Sequence, residues 1–152
     1  MSSFDPDVFL NTQTDTPFET AYVPVPEGEY IAMIDGVKAR EITTKNGEAV
    51  VMDVAYDILE QDELKGKLGF RDKMLVRQSI FPDIENGVFA FGPNKNVPLG
   101  QLRKALKQDK AGKPWSPRLL EGAGPVRIKV EHRPNPNDPL NPYANVTRVA
   151  AA

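Results

Sequence analysis

Between Ala49 and Leu59 the chain alternates: Val50, Met52, Val54, Tyr56 and Ile58 fall on one side, Val51, Asp53, Ala55 and Asp57 on the other. Period two over that length predicts a half-buried strand. Asn46-Gly47, a strong hairpin signal, precedes it, and before that Glu29–Glu41 reads as a first strand, with Gly36 marking a bulge or bend. A turn is expected at Leu64–Gly69. A third strand follows over Arg71–Phe81, with Met74, Val76, Gln78 and Ile80 on one face and Lys73, Leu75, Arg77, Ser79 and Phe81 on the other. Pro82 to Asn96 reads as a long loop. Pro98 then opens a helix in which Leu99, Leu102 and Leu106 recur at helical spacing, with Arg103, Lys104, Lys107 and Lys110 opposite. The Gly112-Lys-Pro-Trp-Ser-Pro run ends it, and Arg118–Glu121 adds a further turn. A fourth strand, Pro125–Arg133, places Val126, Ile128, Val130 and His132 inward, and a Pro/Asn loop leads to a fifth, Tyr143–Val149.

Three strands, a helix and two more strands is the chain order of an OB-fold. The predicted fold is therefore mostly β: an OB-like five-stranded Greek-key barrel over residues 27–152, with one α-helix between strands 3 and 4. Residues 1–26 are acidic and broken by Pro6, Pro17, Pro24 and Pro26, so they predict an extended arm, pinned by Phe4, Phe9 or Phe18.

Composition narrows the class. The chain has 152 residues, 40% hydrophobic content and no cysteine. That suffices for one cored domain and excludes disulfides, thiolate nucleophiles and cysteine-type zinc sites. No apolar run reaches the roughly 18–20 residues of a membrane span. The opening MSSFDPDVFL lacks the basic-then-apolar order of a secretory signal, so a cytoplasmic protein is expected.

Charge changes the picture most. The net charge of −2 hides a split: three basic residues against fourteen acidic ones from Met1 to Glu63, then fifteen against six from Leu64 to Arg133. One surface suits a polyanion and another repels it.

Catalytic signals are weak. His132 is the only histidine, without a second to pair with, and sits at an expected core or rim position. Nucleophile-elbow, phosphate-loop and dinucleotide motifs are absent. Asp53 and Asp57 share a strand face at a spacing compatible with a metal ion, which keeps a metal-dependent nuclease as an alternative, although solvated carboxylates explain them more simply. No enzymatic activity and no cofactor are expected. The polyanion reading has more residues behind it. Arg71, Lys73 and Arg77 share one face of the third strand, and Arg127, Lys129 and Arg133 share one face of the fourth. Such stripes track a phosphate backbone. Phe81, Phe89, Phe91 and Tyr143 are placed to stack bases, and Trp115 either joins them or anchors a loop.

Several segments also resemble a family. They are Phe4-Asp5-Pro6, Pro26-Glu-Gly-Glu-Tyr30, Asp53-Val-Ala-Tyr-Asp-Ile58, Leu99-Gly-Gln-Leu-Arg103, and Val126–Arg133 followed by Tyr143-Ala-Asn-Val146. Together they resemble the small bacteriophage OB-fold single-stranded DNA-binding proteins found among replication and recombination genes. The resemblance implies non-enzymatic coating of single-stranded DNA during phage replication or recombination, in the host cytoplasm. It supplies no binding residues of its own. Many bacterial single-strand binding proteins recruit partners through an acidic tail, whereas this chain ends Thr147-Arg-Val-Ala-Ala-Ala. Docking of phage or host replication proteins is therefore expected at the acidic N-terminal arm, which is also expected to compete with nucleic acid for the basic face. The alternative from another class is a structural or adaptor protein of the phage, assembling head to tail through its oppositely charged surfaces.

Overall fold

The computed structural model describes residues 3–20 and 23–152. In chain order the elements are α1 (Pro6–Leu10), β1 (Gly28–Thr44), β2 (Gly47–Ile58), α2 (Asp62–Leu68), β3 (Leu75–Ile80), β4 (Ile84–Glu85), β5 (Val88–Phe89), α3 (Val97–Ala105), β6 (Val126–Arg133) and β7 (Tyr143–Ala151). One turn of 3-10 helix, Pro117–Leu120, precedes β6.

Five of these strands close a barrel in the order β1-β2-β3-β7-β6. All pairings are antiparallel except β3 with β7, which run parallel and meet through a single bridging pair, Arg77 and Asn145. The alternation expected of β2 fills the interior from Met52 onward: Val54, Tyr56 and Ile58 are buried there with Ala32 and Ile34 of β1, Val76 and Ile80 of β3, and Val126, Ile128 and Val130 of β6. Val50, expected inward, is instead exposed, and Val51, expected outward, is buried. Each buried valine or isoleucine among them contributes about 1.5–3 kcal/mol by leaving water. The Tyr56 hydroxyl donates to Gln78 Oε1 at 2.6 Å, so this buried phenol is not left unpaired. α3 rests on this core through Leu99, Leu102 and Ala105.

Gly36 follows a register shift in β1, so the bend falls where the glycine marks it. The β1–β2 hairpin turns at Lys45-Asn46, with Gly47 at φ +109° taking up a backbone conformation that other residues resist. Gly124 serves a different purpose. A side chain there would crowd Met33 Sδ at 3.0 Å and Ala32 O at 3.2 Å, so the strand leading into β6 approaches β1 only without one.

Four expectations need correction. The turn at Leu64–Gly69 is a helix, α2, with Asp62 and Glu63 in its first turn, Lys65 and Lys67 in its last and Gly69 in the left-handed cap position. The Pro82–Asn96 loop contains the β4–β5 hairpin, whose Asn86 and Gly87 both have positive φ, the geometry a two-residue Asn-Gly turn requires. α3 stops at Ala105, because Lys107 adopts a left-handed backbone, so Lys107 and Lys110 leave the helix. Finally, β3 begins at Leu75, where its ladder with β2 starts, which leaves Arg71 and Lys73 ahead of the strand.

The arm also differs from a simple extended segment. Asp5 caps α1 by accepting from the Asp7 amide at 3.0 Å, and Pro6 suits the first helical position. Phe4 and Phe9 contact each other, with ring centres 5.9 Å apart, yet both stay exposed, as does Phe18. The chain is pinned instead at Val25, which is buried. His132 Nε2 lies 2.7 Å from the Val25 carbonyl, which requires that nitrogen to carry the proton, and the His132 amide donates to Glu27 Oε2 at 3.0 Å. His132, expected to point inward, is thus an exposed rim residue that fastens the arm. Residues 1–2 and 21–22, part of the predicted arm, lie outside the described residues.

Among the described residues no helix is long and apolar enough to cross a membrane.

Candidate nucleic-acid interface

The two strands expected to carry the basic stripe are not neighbours, since β7 runs between them. Across the outer surface Arg77 of β3 pairs with Asn145 of β7, which in turn faces Glu131 of β6. An acidic side chain therefore interrupts the row.

Three of the six predicted cations are also matched locally. Lys73 Nζ binds Asp35 Oδ1 at 2.5 Å, Lys129 Nζ lies 3.1 Å from Glu131 Oε1, and Arg127 lies 4.0 Å from Glu29. The Asp35 carboxylate raises the Lys73 pKa, first through its hydrogen bond and then through its charge. Asp53 is held on the outer face by Arg40 at 2.7 Å and by the Ser79 hydroxyl at 2.8 Å. The hydrogen bond from Arg40 is the main reason its carboxyl pKa is lowered; Ser79 and the nearby Arg77 push the same way, against a contribution from desolvation. Asp57 Oδ1 accepts from the Met74 amide at 3.3 Å. Both carboxylates of the nuclease alternative thus have partners in the protein, and among the described residues no three His, Cys, Asp or Glu side chains form a group suited to a metal.

Two places gather aromatic and basic groups. The first is a groove of about 440 Å³ beside the single β3–β7 bridge. Phe81, Arg133 and Arg148 line it with Ser79, Asn145 and Thr147. Phe81 and Arg133 come from different predicted stripes, and the fold brings them together. Arg148 was not among the sequence candidates. It stands opposite Lys129 on the next strand, which puts two like charges side by side. Tyr143, half exposed, pairs across from Arg133 at the end of the same two strands.

The second is a cleft of about 600 Å³ between the β4–β5 hairpin, α3 and the loop that follows. Phe89, Phe91 and Trp115 line it together with Lys95, Arg103, Lys110 and Lys113. Its walls are built by hydrogen bonds. Asn96, at the start of α3, accepts from the Asp83 amide and donates to the carbonyls of Asp83 and Ala90, while its own amide donates to the Asp83 carboxylate. That clamp holds the segment bearing Phe89 and Phe91 against α3. On the other side the Arg103 guanidinium lies 4.4 Å from the Trp115 ring centre and donates to the Gln108 carbonyl at 3.0 Å. Trp115 Nε1 donates to Gln108 Oε1 at 2.9 Å, and the Phe89 ring lies tilted against the indole at 6.2 Å. Phe89 and Trp115 are walls, half-buried; Phe91 is 91% exposed.

The buried side-chain polar atoms left without a partner among the described residues are Thr147 Oγ1 and Arg103 Nε. One sits at each of these two places. Thr147 is the extra residue at the irregularity in the β6–β7 ladder.

Of the sequence candidates, then, Phe81, Arg133 and Tyr143 collect at the β3–β7–β6 side, Phe89 and Phe91 at the cleft, and Arg71 stands apart in the exposed bend before β3. Lys95, Arg103, Lys110 and Lys113 were not assigned to a site from sequence, and Trp115 was left open between stacking bases and anchoring a loop. The signal was present: from Gly92 to Pro114 there are six Lys and Arg against Asp109 alone.

The chain matches no protein-family model and no curated protein.

Proposed function

We propose that this protein binds single-stranded DNA without catalysing a reaction, through an OB-type barrel, and serves in phage DNA replication or recombination. The fold part of this reading draws on the closed strand order, the parallel β3–β7 contact and the position of α3 between β3 and β6. The observation that carries the function is the groove beside the β3–β7 bridge, which Phe81, Arg133 and Arg148 line together. An exposed ring next to two guanidinium groups suits a base and its flanking phosphates, and stacking of this kind is tolerant of sequence. Arg77 and Tyr143 extend the surface along β3 and β7.

The acidic arm has a second part in this reading. From residue 3 to residue 20 it carries Asp5, Asp7, Asp15 and Glu19 with no basic residue, and among the described residues none of these forms an ion pair. It competes weakly with nucleic acid and offers Phe4, Val8 and Phe9 to partner proteins. Removing residues 2–20, which spares the Val25 anchor, tightens DNA binding about two- to threefold at low salt, where unpaired charges act at longest range. Unchanged or weaker binding contradicts the competing role.

Fluorescence anisotropy of a labelled oligo-dT of about 30 nucleotides tests the main proposal, because affinity set by phosphate contacts falls log-linearly with salt. Absence of binding at low salt overturns it. Self-association that weakens with salt in the same sample favours the head-to-tail assembly reading instead.

A further inference from the structure

We infer that the cleft beside α3 is a second binding site, distinct from the β3–β7 groove, whose ligand is a nucleobase together with its phosphate. The inference rests on the nucleic-acid reading for its most natural source of such a ligand, a DNA strand, but its chemistry is argued from the cleft alone.

Three observations point the same way. The cleft is lined by Lys95, Arg103, Lys110 and Lys113 against the single carboxylate of Asp109, and among the described residues none of the three lysines has an ion-pair partner. Uncompensated ammonium groups around one concavity favour a phosphate. Beside them Phe91 is 91% exposed, and a free ring face is what a base stacks on. The opposite wall is already organised, with Arg103 over Trp115 and both tied to Gln108, so little ordering is left to be done on binding. The buried Arg103 Nε, without a partner, lies in that wall.

The site is connected to the groove by α3. Pro98 and Gln101 line the groove, while Asn96, Leu99, Gly100 and Arg103 line the cleft. A strand leaving Phe81 thus has a route around the first turns of α3 to Phe91. No residue lines both the cleft and the groove, which makes the two sites separable by mutation.

Trp115 is the chain's one tryptophan and reports on the cleft directly. The experiment measures its emission in the full-length protein while oligo-dT is added, and separately while thymidine monophosphate is added, with anisotropy of labelled oligo-dT run alongside. Wild type is compared with Phe91→Ala, whose exposed ring is not needed for folding, and with Phe81→Ala in the groove. The expected result is saturable quenching by the oligonucleotide and at least about fivefold weaker binding in Phe91→Ala, the lower end of what one stacked base contributes. Quenching by the mononucleotide without strand binding upholds the base-and-phosphate site and overturns the DNA-coating function. Strand binding that leaves Trp115 emission unchanged, with Phe91→Ala binding as tightly as wild type, overturns the cleft and leaves the groove. Loss of affinity in Phe81→Ala alone likewise overturns the cleft. Neither strand binding nor quenching overturns both.

Discussion

Four cations of the barrel wall have carboxylates beside them: Lys129 with Glu131, Arg127 with Glu29, Arg40 with Asp53 and, just ahead of β3, Lys73 with Asp35. Arg77, Arg133 and Arg148 around the β3–β7 groove, by contrast, form no ion pair among the described residues. In the cleft by α3 the lysines have no such partners among the described residues, and the aromatic rings stand next to them. The two regions use the same residue types. They differ in whether the charge is matched within the molecule, since a paired surface cation offers a ligand little that its own carboxylate does not already take. Counting basic residues along a strand therefore overstates its attraction for a polyanion, and the spacing of acidic residues on adjacent strands decides the outcome.

The largest expected way to break this comparison is to remove the support of one region while keeping the other. Leu102 is fully buried on the inner face of α3, and Leu102→Ala should cost about 2–5 kcal/mol in urea unfolding, as other large-to-small core changes do. If α3 is a loosely attached appendage, the loss will be far smaller. A sharper cut is Asn96→Ala. It deletes the side-chain bonds to the Asp83 amide and to the carbonyls of Asp83 and Ala90, and so frees the segment that carries Phe89 and Phe91. Stability should fall by about 1–3 kcal/mol, because groups buried around the clamp are left unpaired. Oligo-dT affinity should fall with it, while Phe81 and Arg133 in the groove are untouched. Circular dichroism melts and anisotropy on one preparation separate the two effects.

The smallest effect concerns the barrel pairs. Asp53 has its carboxyl pKa lowered mainly by the hydrogen bond from Arg40. A depressed acid stabilises the fold above the ordinary carboxyl range and loses that contribution as pH falls through the lowered value. Asp53→Asn should therefore unfold at slightly lower urea than wild type at pH 7, with the difference closing as the pH drops below about 4, the unperturbed carboxyl range. A gap that persists or widens in acid would mean that packing, not charge, holds Arg40 and Ser79 in place.

Much of the barrel was legible because its signals are local. The period-two runs of β2 and β6 place Val54, Tyr56, Ile128 and Val130 inside, as their sequence alternation requires. The β4–β5 hairpin escaped because each strand is only two residues long, although Asn86-Gly87 is the same dipeptide that marked the first hairpin. α2 escaped because Gly66 breaks an already short helical pattern, despite acids at its start, lysines at its end and Gly69 at the cap. The groove was half legible: Phe81 and Arg133 were candidates, but only the closure of β3 on β7 brings them together with Arg148. The cleft was the least legible part. Phe91, Asn96, Arg103 and Trp115 line one cleft because Asn96 clamps the Asp83–Ala90 segment and Arg103 lies over Trp115, and no periodicity encodes which loop positions meet.

The most direct test of the distinction between paired and free charge is a salt titration of oligo-dT binding for two triple variants beside wild type. One carries Lys95→Ala, Lys110→Ala and Lys113→Ala; the other carries Lys73→Ala, Arg127→Ala and Lys129→Ala. Each phosphate neutralised on a single strand contributes about 0.7 to the slope of log affinity against log salt, so the cleft variant should lose about 2 units of slope and the barrel variant less than about 0.5. Equal losses in the two variants, or a larger loss on the barrel, would contradict the account.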